Sequence, residues 1–85
     1  MKSHYVYILE CSDGSLYTGY STDPDRRLRQ HNSGKGAKYT RARKPVRLVF
    51  KRGFPTRSEA LRFESEIKKK GRAAKFKLFA GQPPG

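Results

Sequence analysis

The chain has 85 residues, with twenty Lys and Arg against seven Asp and Glu, which gives a net charge of +13 and a pI near 10.4. A chain of this length has room for one hydrophobic core and buries only about 60 to 65% of the surface that its unfolded form exposes. Its one cysteine, Cys11, excludes an internal disulfide, and one cysteine with two histidines excludes a closed zinc site of the usual spacing.

The first apolar run, residues 5 to 9, is too short for the core of a secretion signal and far too short to span a bilayer. We therefore expect a soluble protein of a reducing compartment, located in the cytoplasm or associated with the nucleoid.

The positive charge is concentrated in the middle of the chain. From Arg26 to Arg57 there are twelve basic residues and no acidic one, which predicts a continuous positive surface. A solvated face that serves solubility would have the same composition. An anionic membrane is the other alternative, but no segment combines a long apolar helix face with a basic one. The pattern favours nucleic acid as the partner.

The first two predicted strands, residues 5 to 10 and 16 to 21, form a hairpin around Ser12-Asp13-Gly14. In a three-residue loop Gly14 takes the left-handed conformation. Leu9 then pairs with Tyr17, whereas a two-residue loop would separate Tyr7 from Tyr17. The three-residue loop places four residues on one face of the sheet: Tyr5, Tyr7, Tyr17 and Gly19.

A helix is predicted over residues 24 to 32, because Asp23 is a favourable N-cap and Pro24 suits the first helical position. A basic loop follows. Residues 45 to 54 then predict a third strand, with the side chains of Val46, Leu48 and Phe50 on one face.

A second helix is predicted from Arg57 to Gly71, since Thr56 and Glu59 match a capping box. Residues 72 to 79 are open to a short third helix. The order ββαβα predicts an α+β fold, a small and mainly antiparallel three-stranded sheet flanked by helices. We assign residues 1 to 80 to one domain and 81 to 85 to a tail.

Glu64 is the most informative residue of the second helix. At 100° per residue it falls within the apolar stripe of Ala60, Leu61, Phe63 and Ile67, so its carboxylate is turned toward the sheet. Burying an unpaired carboxylate costs several kcal/mol, so Glu64 needs a partner. A structural ion pair with Arg27 is one alternative, and a ring of hydrogen bonds is another. A divalent metal is the third, because one carboxylate with waters and phosphate oxygens suits Mg²⁺.

Arg27 and His31 lie four residues apart on one face of the first helix. Arg suits bidentate phosphate binding, and His can transfer or orient a proton. The structural alternatives are that Arg27 extends to solvent along the helix and that His31 caps the helix end.

The tyrosines of the hairpin can fill a small core, or one phenol can act as a general base. From a pKa of about 10, deprotonation at neutral pH requires roughly 4 kcal/mol of preferential stabilisation of the phenolate. We expect Arg27, a metal and the net charge to act in that direction. Gly19, opposite Tyr7, would leave space for a phosphate.

These residues together resemble the GIY-YIG nuclease superfamily over residues 5 to about 70. Tyr5-Val6-Tyr7 and Tyr17-Thr18-Gly19 match its two tripeptides, with Tyr5 in place of glycine and Thr18 in place of isoleucine. Arg27, His31 and Glu64 match the remaining motif positions. The chain looks closest to small stand-alone bacterial members and is similar to the nuclease domain of the Slx-type endonuclease.

The resemblance implies hydrolysis of phosphodiesters with a single divalent metal, Mg²⁺ or Mn²⁺. It implies that Tyr7 or Tyr17 activates water, Arg27 stabilises the phosphate, His31 assists and Glu64 binds the metal. We expect a structure-selective DNA endonuclease, with DNA repair as one setting, that uses a protein partner or a homodimer if the single chain is inactive. A non-catalytic nucleic-acid-binding module is the alternative. In either case a set of loop residues is expected to contact nucleic acid: Lys35, Lys38, Tyr39, Arg41, Arg43 and Lys44.

Overall fold

The computed structural model describes residues 3 to 79. Their elements follow in the order β1 (His4–Glu10), β2 (Leu16–Ser21), α1 (Pro24–Asn32), α2 (Lys38–Arg41), β3 (Arg47–Phe54), α3 (Arg57–Lys68) and α4 (Arg72–Phe79). The three strands form one antiparallel sheet in the order β2-β1-β3. The α+β prediction is therefore confirmed, and the expected tail at 81 to 85 lies outside the described residues.

The hairpin has the predicted three-residue loop. Leu9 pairs with Tyr17 and Tyr7 pairs with Gly19. The amide of Cys11 donates to the carbonyl of Ser15 at 2.8 Å, and Gly14 has φ of 84°, the left-handed conformation that glycine adopts most readily. Tyr7 and Tyr17 consequently lie on the same face of the sheet.

A β-bulge in β3 changes which side chains of that strand lie on each face of the sheet. Ile8 pairs with Phe50 but Leu9 pairs with Leu48, so Val49 is an extra residue. Leu48 packs with Tyr7 and Leu9 on one face, whereas Phe50 packs on the other. The prediction that Val46, Leu48 and Phe50 share a face is therefore wrong for Phe50, because the bulge reverses the alternation of side chains.

The helices cover both faces. Leu28 of α1 packs on the face of Tyr7, while Ala60 and Ile67 of α3 pack with Val6 on the opposite face. Asn32 joins the end of α1 to the third strand, since its side chain donates to the carbonyl of Val46 at 2.9 Å and accepts from its amide at 2.7 Å. These two hydrogen bonds fix the last turn of α1 against the sheet.

Both predicted helix starts are confirmed. The carboxylate of Asp23 accepts from the amide of Arg26 at 3.1 Å, and the hydroxyl of Thr56 accepts from the amide of Glu59 at 3.2 Å. Two details differ from the expectation. Helix α3 ends at Lys68, before Gly71, and the basic loop contains the short helix α2.

Candidate active site

Tyr7 lies at the centre of the candidate site on β1, with only 1% of its surface exposed. A Cβ built on Gly19 would lie 2.5 Å from the Tyr7 hydroxyl oxygen and 2.6 Å from its Cζ, closer than real Cβ atoms approach. The phenol therefore requires glycine at position 19. The expectation that Gly19 leaves space for a phosphate is corrected, because Tyr7 itself fills that space.

His31 packs against this phenol from α1 and is fully buried. Its Nε2 is 3.2 Å from the Tyr7 hydroxyl, and its Nδ1 is 2.7 Å from Oγ1 of Thr40. The His31 ring also meets that of Tyr17, with centroids 5.2 Å apart. Since both ring nitrogens bond to side chains in the interior, the alternative that His31 caps the helix end is excluded.

Arg27 lies one helical turn before His31 and is half-buried. It donates from Nη1 to Oε1 of Gln30, and its guanidinium is close enough to the Tyr7 hydroxyl to form a hydrogen bond that lowers the pKa of the phenol. A polar cleft of about 290 Å³ opens beside it, lined by Ser21, Thr22, Asp23, Arg26, Arg27 and Gln30. Arg27 thus connects the buried phenol to a solvent-accessible cleft that suits an anion.

Burial decides the protonation of the Tyr7 phenol and the His31 imidazole. It raises the pKa of Tyr7 and outweighs the hydrogen bond from Arg27, and the charges of Tyr17 and Glu64 also favour the neutral phenol. The expectation of an easily lost phenol proton is therefore wrong for the free protein. The pKa of His31 is lowered, first by burial and then by the charge of Arg27, so the imidazole is neutral at pH 7.

Glu64 acts on the Tyr7 phenol through its charge. It lies on α3, which covers the other face of the sheet, and its side chain is only 16% exposed, as its place in the apolar stripe predicts. Its negative charge is one of the causes that raise the pKa of Tyr7. Within residues 3 to 79 its ion-pair partner is Lys68, whose Nζ is 3.3 Å from Oε2. The alternative of a structural ion pair with Arg27 is therefore not what the structure has.

A metal ion held by Glu64 would have few protein ligands. Among residues 3 to 79 there is no group of three or more His, Cys, Asp or Glu side chains that could hold a metal ion. Glu64 is a single, mostly buried carboxylate, and Mg²⁺ and Mn²⁺ commonly take one carboxylate and complete their shell with waters and phosphate oxygens. The Lys68 ammonium at this carboxylate is 56% exposed, so it can leave when another cation binds.

Ring contacts connect the site to the surface, from His31 through Tyr17 to Tyr39. The rings of Tyr17 and Tyr39 are stacked with centroids 6.0 Å apart, and the guanidinium carbon of Arg43 lies 4.0 Å from the centroid of the Tyr39 ring. Arg43 also bonds to the carbonyl of Tyr39 and to the carboxylate of Asp13. Its guanidinium therefore holds Tyr39 and the hairpin loop in place, a role that the sequence did not indicate.

The other predicted loop residues present their charges to solvent. Lys35, Lys38, Arg41 and Lys44 are exposed, and Tyr39 is 39% exposed. A shallow cleft of about 710 Å³ lies along α2, lined by Lys38, Tyr39, Arg41, Ala42 and Arg43. An exposed aromatic ring among cations is the composition of a surface that binds nucleotide bases and phosphates.

Sequence reasoning missed Thr40 and Gly36. Thr40 is fully buried against His31, and a Cβ at Gly36 would lie 2.7 Å from Cγ and 2.8 Å from Cα of His31. Both residues fall in a stretch that the sequence predicts as loop. A buried threonine there carries no local signal, because its partner is nine residues away on another helix.

The fold and site define a small α+β domain with phenol, imidazole and guanidinium groups clustered on one face of a three-stranded sheet and one carboxylate on a helix of the other face. The model of the GIY-YIG catalytic domain matches residues 3–77. The chain belongs to this family.

Its relatives share most of their length with it. UPF0213 protein BH0048 of Halalkalibacterium halodurans is 60% identical over 76 residues, which are 89% of this chain and 81% of the relative. UPF0213 protein SSP2268 of Staphylococcus saprophyticus is 54% identical over 80 residues, 94% of this chain and 98% of the relative.

Two solution NMR structures resemble the fold. BH0048 matches with a TM-score of 0.58 at 61% identity, over 88% of this chain and 80% of that one. EF2693 of E. faecalis matches with a TM-score of 0.61 at 51% identity, over 92% of this chain and 84% of that one. Among residues 3 to 79, no helix is long and apolar enough to cross a membrane.

Proposed function

We propose that this protein is a divalent-metal-dependent endonuclease that hydrolyses phosphodiester bonds in DNA, with selectivity for structure and little for sequence. The observation that supports this best is the bond between the Tyr7 hydroxyl and Nε2 of His31, beside the guanidinium of Arg27. The charge of Glu64 acts on the same phenol. Family membership supports the nuclease class.

Arg27 is proposed to bind the scissile phosphate. Its guanidinium lines the polar cleft and is permanently charged, so it stabilises the negative charge that grows on the phosphate during attack. Tyr17 is half-buried beside His31 and is the more accessible of the two phenols. Its hydroxyl is proposed to orient the attacking water.

Tyr7 is proposed to relay a proton to His31. As the water oxygen bonds to phosphorus and the bond from phosphorus to the leaving deoxyribose oxygen breaks, a water proton passes to the Tyr7 oxygen while the Tyr7 proton passes to Nε2. The leaving oxygen takes a proton from solvent water. The phenol stays neutral and the imidazole becomes imidazolium. This relay fits the pKa directions, because a phenol with a raised pKa need not ionise and a histidine with a lowered pKa is free to accept.

Glu64 is proposed to hold the cation, Mg²⁺ or Mn²⁺. When bound, the cation supplies positive charge that stabilises the phosphate oxygens during attack. Its binding at Glu64 also offsets the charge that raises the pKa of Tyr7. Lys68 must release the carboxylate first, so we propose that metal and Lys68 compete.

The basic loop is proposed as the DNA-binding surface. Lys35, Lys38, Arg41 and Lys44 are exposed to contact phosphates, and the Tyr39 ring is exposed to stack on a base. Arg43 supports this ring. Gly19 is not part of this surface, because it is buried under the Tyr7 ring.

A cleavage assay tests the proposal. Duplex, flap, splayed and single-stranded DNA, with single-stranded RNA for comparison, are incubated with the protein and Mg²⁺, Mn²⁺ or EDTA. We expect cleavage that requires the metal and is lost in Glu64→Gln. Glu66→Gln is the matched control, because Glu66 lies on the same helix but is exposed. Equal activity of the Glu64 and Glu66 variants would contradict the proposed metal site.

The second candidate is a nucleic-acid-binding module that is inactive alone or needs a protein partner or a second copy. The net charge of +13 and the exposed side chains of α2 favour binding whether or not cleavage follows. In this case the wild type and Glu64→Gln bind DNA equally, and neither cuts any of the five substrates with either metal. Activity regained with a co-purified protein would identify the partner-dependent form.

A further inference from the structure

His31 lies between two hydroxyl groups in the interior. Nδ1 faces Oγ1 of Thr40 at 2.7 Å, and Nε2 faces the Tyr7 hydroxyl at 3.2 Å. His31 and Thr40 are both fully buried, and Tyr7 is 1% exposed. Exchange of these partners for bulk water is therefore restricted, and each ring nitrogen has one defined partner.

The backbone of Gly36 closes the Thr40 side of this arrangement. A Cβ at position 36 would overlap Nδ1 of His31 and lie 2.7 Å from its Cγ. Any residue other than glycine would therefore displace the imidazole from Thr40. Gly36 and Thr40 approach the ring from the same loop and leave Nδ1 one side-chain partner, the Thr40 hydroxyl.

Counting protons gives the direction of these bonds. Thr40 carries one hydroxyl proton, and Oγ1 donates it to the carbonyl of Ala37 at 3.0 Å. With its proton directed to Ala37, the same oxygen accepts from His31 at 2.7 Å, and the imidazole proton then lies on Nδ1. Nε2 is left as a lone pair directed at the Tyr7 hydroxyl.

We propose that Thr40 is a positioning residue that holds His31 in the tautomer protonated at Nδ1, so that Nε2 can accept the proton of Tyr7. This inference rests on the function proposed above. When Nε2 takes the proton, the O–H bond of Tyr7 breaks as the N–H bond forms, and Nδ1–H keeps Thr40 as its acceptor. In the opposite tautomer, Nε2 already carries a proton and cannot receive another.

The position of Thr40 also joins proton transfer to substrate binding. Helix α2 has four residues, and Thr40 is buried while Lys38, Tyr39 and Arg41 are exposed. The amide of Thr40 bonds to the carbonyl of Ala37 at 3.1 Å, so this turn holds the hydroxyl at its place. One helical turn therefore presents the proposed DNA contacts outward and the partner of His31 inward.

The test compares Thr40→Val, which keeps the shape and removes the hydroxyl, with Thr40→Ser, which keeps the hydroxyl. Nitrogen-15 NMR of the imidazole reports which nitrogen carries the proton. We expect the Nδ1–H form in wild type and Thr40→Ser, and a shift toward the Nε2–H form in Thr40→Val. Cleavage at pH 7 should fall by about tenfold or more in Thr40→Val, in kcat rather than in KM, and return toward wild type in Thr40→Ser.

The nitrogen-15 NMR measurement of the His31 imidazole in the wild type requires neither a folded variant nor nuclease activity. An Nε2–H imidazole in the wild type overturns the inference, even if Thr40→Val does not fold. Retention of the Nδ1–H form in folded Thr40→Val overturns it as well. If the wild type cuts no substrate but its tautomer follows Thr40 as expected, the nuclease proposal fails while the role of Thr40 in holding His31 stands.

Discussion

The phenol of Tyr7 occupies the space that a side chain at position 19 would need. The two residues pair across β1 and β2, and a Cβ on Gly19 would lie 2.5 Å from the Tyr7 hydroxyl oxygen. This contact sets the path of the phenol across the neighbouring strand toward His31. Gly19 therefore affects the site by allowing the position of Tyr7. Mutation of Gly19 should displace the Tyr7 hydroxyl and disturb the proton relay.

Gly19→Ala should lower both stability and activity. Overpacking of this kind costs about 1 to 3 kcal/mol, because the ring must move or the strands must separate. Urea unfolding gives the stability, and the cleavage assay gives the activity. Gly71→Ala is the matched control, since a Cβ at position 71 meets nothing within 4 Å and its stability should change by no more than about 1 kcal/mol. Equal stability of the two variants would show that the ring adapts freely.

Stability should fall when the pH drops below the ordinary histidine value. The pKa of His31 is lowered from 6.5, so below pH 6.5 the unfolded chain binds a proton that the folded protein does not. The loss is at most about 1.4 kcal/mol per pH unit and ends near the pKa of the folded state. Urea unfolding between pH 8 and pH 5 should show this slope in wild type and in His4→Gln, and a reduced slope in His31→Gln.

Cleavage should follow the same titration. Neutral His31 accepts the relayed proton, so kcat should rise with pH with a midpoint below pH 6.5, at the lowered pKa of His31, and become constant at higher pH. The histidine signals of wild type, followed by NMR over the same pH range, give the pKa independently. A profile whose midpoint lies well above 6.5 would exclude His31 as the acceptor.

Removal of single hydroxyl groups should rank the phenols. Tyr7→Phe keeps the ring but breaks the relay, and cleavage should fall by about 100-fold or more. It also leaves Nε2 of His31 unpaired, at a cost of about 1 to 3 kcal/mol in stability. Tyr17→Phe should reduce cleavage less, because the Tyr17 hydroxyl is proposed to orient the water and not to carry the proton. Tyr20→Phe removes a hydroxyl that bonds to His4 and should leave cleavage unchanged.

Removal of Lys68 should strengthen metal binding at Glu64. Partly exposed pairs such as this one contribute about 0.2 to 1 kcal/mol, so Lys68→Gln should tighten the Kd for Mn²⁺ by less than about tenfold. Calorimetry without nucleic acid measures this affinity apart from activity. Lys69→Gln, at the next position, should have no effect, and Glu64→Gln should abolish binding. A higher Kd for Mn²⁺ in Lys68→Gln than in the wild type would show that the metal does not bind at Glu64.

The basic loop should determine the salt dependence of DNA binding. The slope of log K against log salt is about 0.7 to 0.9 for each phosphate that a cation neutralises. Lys38→Ala with Arg41→Ala should therefore reduce the slope by about 1.4 to 1.8 on oligonucleotides of fixed length. Arg62→Ala serves as the control, since Arg62 is exposed on α3 and lies outside the basic loop. An equal reduction in Arg62→Ala would argue against a localised interface.

Local signals in the sequence were sufficient for much of the fold. Gly14 has the left-handed φ that the three-residue loop requires, and the side chains of Asp23 and Thr56 cap the helices that follow them. Each of these features depends on hydrogen bonds or conformations within a few residues. Even Glu64 was predicted to turn inward by spacing along one helix, and its side chain is only 16% exposed.

Predictions that depended on contacts between distant segments were less successful. The bulge at Val49 moves Phe50 to the other face, and the apolar run of Leu48, Val49 and Phe50 does not show which of the three is the extra residue. Leu61, expected in the apolar stripe of α3, is 37% exposed because the helix turns that position past the edge of its contact with the sheet. Neither outcome follows from a single element taken by itself.

The sequence alone determined that the chain carries a +13 charge and has two tyrosines on one face of a hairpin. It also determined that an Arg and a His share one helix face and that the Glu64 carboxylate is turned toward the sheet. Only the tertiary structure decided how these groups act on each other. Burial raises the pKa of Tyr7 against the effect of Arg27, Gly19 accommodates the phenol and Thr40 bonds to His31. Desolvation and hydrogen bonds between distant segments depend on the packed chain, so composition and spacing do not contain them.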